Sequence, residues 1–157
     1  MNSTGFKTPL GYAILEGDEN GLSRVYVAED KPKFSETVPE PLQQAKIQLK
    51  EYFLGKRETF NLKINPEGTD FQKKVWELLL KIPFGKTSSY LELSKEFGNT
   101  KAIRAVAAAN GRNPLWIIVP CHRVIGSDGS LTGYAGGLWR KKWLLEHEQP
   151  QKQQSLF

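Results

Sequence analysis

Residues 69–111 hold three helix starts and three stops in close succession, and this spacing restricts the fold more than any other feature of the chain. Thr69-Asp70-Phe71-Gln72 has the form of a capping box: a hydroxyl at the cap and a glutamine three residues on. It predicts a helix with Phe71, Val75, Leu78 and Ile82 on one face, ended by Phe84-Gly85-Lys86. Ser89-Tyr90-Leu91-Glu92 is a second capping box and opens a short helix stopped by Gly98. Asn99-Thr100 caps a third helix, KAIRAVAAAN, closed by Gly111. Two short helices joined by a tight glycine turn, after a longer one, predict a helix-turn-helix. On the third helix Ile103, Val106, Ala107 and Asn110 recur at the spacing of a core-facing stripe. Arg104, Ala105, Ala108 and Ala109 form the opposite side, with Arg112 nearby. Such a small-residue face lets the backbone approach either a nucleic-acid groove or another helix, and the pattern alone leaves both open.

The first part of the chain reads differently. TPLGYAILEGDENGLSRVYVAED is two partly apolar alternating runs around an Asn20-Gly21 turn signal, hence a hairpin. DKPKFSETVPEP is a loop, and a helix follows from Pro41 to about Phe53 with Ala45, Leu49 and Phe53 on one face and Ile47 beside it. ETFNLKI reads as a short strand, and Asn65-Pro66-Glu67-Gly68 as a domain boundary. The expected fold class is therefore α+β. A small sheet-plus-helix domain over 1–66 precedes a mainly helical, winged helix-turn-helix-like domain over 67–150, and the tail 151–157 is expected to be disordered. Charge divides at the same place. Residues 1–66 carry 9 basic and 9 acidic side chains, and residues 67–157 carry 13 and 8, so the whole net charge of +5 lies in the second part. That excess suits an anionic partner, and equally a basic solvated surface.

The single cysteine, Cys121, stands in VPCHRV next to one of only two histidines. Pro120 lacks a backbone donor and is expected to end an apolar strand, LWIIVP, so that Cys121 lies at the strand's end. His122 and Arg123 follow at once, and a thiolate forms more readily beside positive or proton-accepting groups. A glycine-rich loop comes next, then a last helix, LWRKKWLLEHE. A nucleophilic thiol needs its base held by a third group. Glu148 is the candidate to orient His122, with Glu146 its nearest rival, and His147 reads as surface or packing. One cysteine and two histidines do not make a structural zinc site, and one cysteine cannot form an internal disulfide. The N-terminus lacks the apolar core of a signal peptide, and no apolar run is long enough for a membrane span. A cytoplasmic protein without a metal is expected.

Asn113-Pro114, Val119-Pro120-Cys121-His122-Arg123-Val124 and Gly133-Tyr134-Ala135-Gly136-Gly137 resemble the O6-alkylguanine-DNA alkyltransferase family. The likeness runs back through Phe71-Gln72, Val75-Trp76, Ser89-Tyr90 and Arg104-Ala105-Val106, and forward to His147-Glu148. It covers 69–148, and the N-terminal part matches only as a hairpin and a helix. The resemblance implies a ribonuclease H-like N-terminal domain and a single-turnover transfer of an alkyl group from O6 of guanine in double-stranded DNA, with O4 of thymine as a second candidate position. Cys121 would be nucleophile and acceptor, His122 the base through a water, Glu148 its orienting group, and Asn113 a support of the site. Tyr90 would donate a hydrogen bond to a flipped guanine, and Arg104 would fill the gap in the stack. Ala105, Ala108 and Arg112 would face DNA, while Tyr134, Ala135, Val124 and Trp116 would surround the base. No cofactor is implied, and no phosphate loop or nucleotide fingerprint is present. The implied protein is a monomer away from DNA. The zinc that some members hold in the N-terminal domain is not expected, because residues 1–66 contain no cysteine or histidine.

Two other classes fit parts of this pattern. A cysteine hydrolase would use Cys121 and a histidine, although no local protease signature surrounds the thiol. A non-catalytic DNA-binding regulator would use residues 85–112. The Ala and Arg face of the third helix has few side chains able to read bases, so it favours backbone and shape contacts in a minor groove.

Overall fold

The computed structural model describes residues 2–33, 37–131, 134 and 136–149. The chain forms two compact units, one of Met1–Glu67 with Pro114–Ile118, the other of Gly68–Asn113 with Val119–Phe157. The expectation for 151–157 lies outside the described residues.

The first unit is an antiparallel sheet of β1 (Asn2–Thr8), β2 (Gly11–Asp18) and β3 (Gly21–Ala28), in the order β1-β2-β3. The expected hairpin is β2–β3. Asp18 pairs with Gly21 across the turn, and Asp18 Oδ1 accepts from the Asn20 amide at 2.8 Å. β1 was not expected, because NSTGFKT carries almost no apolar alternation; backbone pairing with β2 along its whole length makes it a strand. Helix α1 (Glu40–Phe53) buries Leu42, Ala45, Leu49 and Tyr52, together with Gln48. The apolar face is thus centred one position from the expected one: Tyr52 is fully buried, Phe53 is not, and Ile47 is exposed.

ETFNLKI is not a strand. Only Ile64 makes a bridge, to Leu22. The cause is Gln48, whose side chain takes the place of a neighbouring strand: Oε1 accepts from the Asn61 amide at 2.9 Å and Nε2 donates to the Asn61 carbonyl at 3.2 Å. A buried amide that satisfies both backbone groups of one residue removes the need for a ladder there.

LWIIVP also differs from its expected strand. Leu115 bridges Val25, with Val25 donating to the Pro114 carbonyl and Trp116 donating back to the Val25 carbonyl. The chain then reverses. The Ile118 amide bonds the Trp116 carbonyl at 2.9 Å around Ile117, whose φ is 72°. This is a three-residue γ-turn with positive φ, a strained conformation for a β-branched residue. The apolar character of the run reflects full burial and carries no period that could separate strand from turn.

The second unit holds α2 (Asp70–Leu79), α3 (Tyr90–Phe97), α4 (Ile103–Gly111) and α5 (Leu138–Glu148). Its only strands among the described residues are β4 (Ser88–Ser89) and β5 (Val124–Ile125), paired in parallel. The Thr69 capping box is complete: the Thr69 hydroxyl accepts from the Gln72 amide, and Gln72 accepts from the Thr69 amide. α2 stops at Leu79, short of the expected Phe84, and Ile82 follows in a tighter turn bonded to the Leu79 carbonyl. Pro83 disfavours helical geometry at the residue before it, which accounts for the early end. Ser89 caps α3 by accepting from the Glu92 amide. Asn99 caps a three-residue 3-10 turn, Thr100–Ala102, that leads into α4. Trp76 reaches from α2 to donate to the Ala109 carbonyl at 2.9 Å, and this packing buries Ala109, which had been expected on the outer face.

The two expected glycine stops differ. Gly98 is left-handed, with φ 102°, and its amide donates to the Ser94 and Lys95 carbonyls where α3 ends. Gly111 is the last helical residue of α4 and has no positive φ. A Cβ would meet nothing within 4 Å at either position, so only the backbone separates them. Gly98→Ala should lower the unfolding free energy by about 1 kcal/mol, because alanine is unfavourable at positive φ. Gly111→Ala should leave it unchanged or raise it by a few tenths of a kcal/mol. Urea denaturation of the two variants side by side checks this, and equal effects would refute it.

Candidate active site

The parallel pair β4–β5 brings the start of the helix-turn-helix to the cysteine. Ser88 pairs with Val124 and Ser89 with Ile125. β5 is preceded directly by a 3-10 turn, Cys121–Arg123, and β4 is followed directly by Tyr90 at the head of α3. Cys121 therefore begins a tight turn and does not terminate a strand. Pro120 (φ −81°, ψ 63°) sits at the centre of a second γ-turn, closed by the Cys121 amide on the Val119 carbonyl at 2.8 Å. Asn113 braces that turn: Nδ2 donates to the same Val119 carbonyl at 2.7 Å, and the side chain also hydrogen-bonds the thiol.

Helix α5 supplies the other wall. Lys141, Leu144 and Glu148, spaced i, i+3, i+7, are its buried residues. A lysine and a glutamate on a core-facing stripe must be compensated by buried partners. Glu148 is 4% exposed, and its carboxylate is fully engaged. Oε2 accepts from His122 Nε2 at 2.7 Å and from Arg123 Nη2 at 3.2 Å, while Oε1 accepts from Arg123 Nε at 2.8 Å. The third guanidinium nitrogen, Nη1, donates to the Ile82 carbonyl at 2.6 Å. Burial raises the Glu148 carboxyl, but the hydrogen bonds and charges of His122 and Arg123 outweigh it and hold the group at about 2. Glu148 is ionised and can only accept. His122 Nε2 therefore carries the proton, and Nδ1 is left as the acceptor. Nδ1 is buried, without a hydrogen-bond partner among the described residues.

His122 is fully buried. Burial pulls its protonation below the ordinary range; Glu148 opposes this, and the charges of Arg123 and Lys141 reinforce it. The ring is a neutral base at physiological pH. Burial also pushes the Cys121 thiol up, and the Asn113 hydrogen bond and the Lys141 charge offset part of the rise. At rest the nucleophile is a thiol and needs a partner to take its proton. Lys141 is itself lowered by burial and partly restored by Cys121, and its Nζ lies 5.9 Å from the centre of the Tyr90 ring.

The structure thus brings together Cys121, His122, Glu148, Asn113 and, through Lys141, Tyr90. Arg104, Ala105, Ala108 and Arg112 are all exposed on or just after α4. Val124 is fully buried in β5, and its amide donates to the Cys121 carbonyl. Trp116 lies in the other unit, buried with its ring 6.1 Å from that of Phe53. Tyr134 is half-buried, and Ala135 lies outside the described residues. Glu146 makes an exposed pair with Lys142, and His147 stacks on Trp143 at 4.8 Å. Sequence reasoning missed Arg123 as the partner of Glu148, and it missed Lys141. Lys141 was detectable, as a charged residue on the same helical face as Leu144 and Glu148, whereas Arg123 lies in a three-residue turn with no period to point it inward.

A thiol beside a carboxylate-anchored imidazole, in the same unit as a helix-turn-helix, defines a cysteine-dependent protein built on a nucleic-acid-binding fold. Residues 1–66 match the ribonuclease-like domain of 6-O-methylguanine DNA methyltransferase, and residues 70–150 match its DNA binding domain. The chain belongs to that family. It is 49% identical over 150 residues to a methylated-DNA–protein-cysteine methyltransferase of Methanosarcina acetivorans, covering 91% of this chain and 95% of the relative. Identity to the constitutive enzyme of the same name from Bacillus subtilis is 46% over 141 residues, 85% and 86% of the two chains. Among solved structures, the Mycobacterium tuberculosis OGT in complex with DNA superposes with a TM-score of 0.85 at 42% identity, covering 96% of this chain and 94% of that one.

Proposed function

We infer that this protein repairs DNA by direct reversal, moving an alkyl group from O6 of guanine in double-stranded DNA to Sγ of its own Cys121, once per molecule. The observation that carries this reading is the only cysteine of the chain, set next to a neutral histidine whose far nitrogen is tied to an ionised glutamate. In the step proposed, the Cys121 proton passes to His122 Nδ1 through a water. The sulfur electron pair then forms a bond to the alkyl carbon, and the bond from that carbon to O6 breaks. Guanine leaves with the electrons, and a hydrogen bond from Tyr90 meets its developing charge. The product is a thioether, which neither water nor imidazole displaces, so each molecule reacts once.

The remaining roles complete the reading. The target base is taken out of the stack, with Arg104 in its place and Ala105, Ala108 and Arg112 against the DNA. Tyr134, Val124 and Ala135 surround the extruded base. Small side chains on α4 suit close approach to the duplex with little sequence readout, so binding should be salt-sensitive and almost independent of sequence. No described helix is long and apolar enough to cross a membrane. A monomer acting in the cytoplasm is the form we propose.

Intact-protein mass after mixing with a duplex containing one O6-methylguanine, followed by peptide mapping, tests the reading. The expected result is one methylene added at Cys121, never more than one per molecule, and none in Cys121→Ser. Binding without any gain in mass would instead favour the non-catalytic recogniser.

A further inference from the structure

A buried carboxylate against an imidazole has two opposed effects. It orients the ring, and it draws a proton onto it. A base that must accept a proton from a thiol needs the first effect without the second. Here the carboxylate is not left to the histidine alone. Arg123, the residue after the base, holds both Glu148 oxygens, at 2.8 and 3.2 Å, and shares Oε2 with His122. Its remaining nitrogen donates to the Ile82 carbonyl at 2.6 Å, so the guanidinium is fixed from two sides. Arg123 is 6% exposed, and solvent cannot replace these bonds cheaply.

We propose that Arg123 is a positioning residue of the transfer reaction: its guanidinium fork fixes Glu148 and offsets the carboxylate's charge, so that Glu148 orients His122 without protonating it. The proposal rests on the alkyl-transfer reading above. The charged groups facing the His122 ring are Glu148 and Lys141 from α5 and Arg123 from its own turn, with the Cys121 thiol beside it. Of these only Glu148 favours the imidazolium; Arg123 and Lys141 both oppose it. Arg123 also touches Glu148 directly, so it sets both the direction of the carboxylate and the strength of its pull. Arginine suits this task better than lysine. It stays charged at all relevant pH values and presents parallel donors that match a carboxylate, with one nitrogen left over for a backbone carbonyl.

The test separates this role from simple support of the fold. The first measurement is nitrogen-detected NMR of His122 in the wild-type protein, from about pH 8 to about pH 5.5. The ring should remain neutral with the proton on Nε2 throughout. In Arg123→Leu its protonation midpoint should rise by about one pH unit or more. The acid limb of the single-turnover transfer rate should rise with it, and activity should return as the pH is increased. Arg123→Lys retains the charge without the fork, so its acid limb should stay near that of the wild type while its plateau rate falls.

Wild-type His122 found as imidazolium at neutral pH would overturn the proposal. So would Arg123→Leu losing rate equally at every pH with no shift in the His122 titration. If Arg123→Leu does not fold, the wild-type tautomer and the acid limb of Arg123→Lys decide. The NMR arm requires no DNA. A wild-type protein that transfers nothing would therefore refute the repair reading and leave the protonation result to stand by itself.

Discussion

Glu148→Ala should destabilise the protein by about 3–5 kcal/mol, the range for removing one partner of a buried ion pair. Three donors lose their acceptor at once: Arg123 Nε, Arg123 Nη2 and His122 Nε2. The guanidinium remains buried, and of its hydrogen bonds among the described residues the one to the Ile82 carbonyl at 2.6 Å is left. The acid dependence of stability should change as well. Glu148 sits at about 2 in the folded protein against an ordinary 4.5. Its contribution is complete above about pH 4.5 and is lost as pH falls from there toward 2, an effect on the order of 3 kcal/mol. His122 acts in the same direction but earlier. Its folded value is lowered from 6.5, so the unfolded chain binds the proton first and stability falls as pH drops below about 6.5. Cys121 acts at the other end: it is raised from 9.0, and stability declines as pH rises past that value. Urea unfolding of wild type and Glu148→Ala across this range should show the variant without the loss below pH 4.5. Parallel curves would mean that Glu148 is not held ionised.

His122→Ala should slow alkyl transfer by about 10²–10⁴-fold, the usual contribution of a positioned base, while DNA affinity changes only a few-fold. The cause lies in the state of the nucleophile. Burial keeps Cys121 protonated, and the Asn113 hydrogen bond and Lys141 charge only partly counter this. Without a base, the rate must depend on the small thiolate fraction. It should therefore climb steadily with pH in the variant, where the wild type shows a plateau. Rapid-mix single-turnover transfer with an O6-methylguanine duplex measures both curves. An unchanged rate, or a plateau in the variant, would remove His122 from the reaction.

The helix-turn-helix was legible because capping is local. Thr69, Ser89 and Asn99 each bond an amide two or three residues ahead, and Gly98 adopts a conformation that few other residues accept. Such signals need no distant partner, so spacing along the chain is sufficient to read them. The N-terminal turn at Asp18–Gly21 was readable for the same reason. Errors arose where a distant group decided the outcome. Gln48 satisfies the backbone at Asn61, thirteen positions away, and removes a strand. Trp76 covers the Ala109 carbonyl and changes which alanines face outward.

Residue order by itself determined the chemistry available at VPCHRV: one soft nucleophile, one base next to it and an arginine after that, with no second thiol and no cofactor motif. It also determined where helices begin and end around them. Only the tertiary structure decided that Glu148 and not Glu146 meets His122, that Arg123 grips the same carboxylate, and that Lys141 is enclosed beside the thiol. Each of these depends on which face of α5 is buried against the Cys121–Arg123 turn. A helical period shows which residues share a face, but burial against another segment decides which face is desolvated, and desolvation turns a neighbouring charge into a strong interaction.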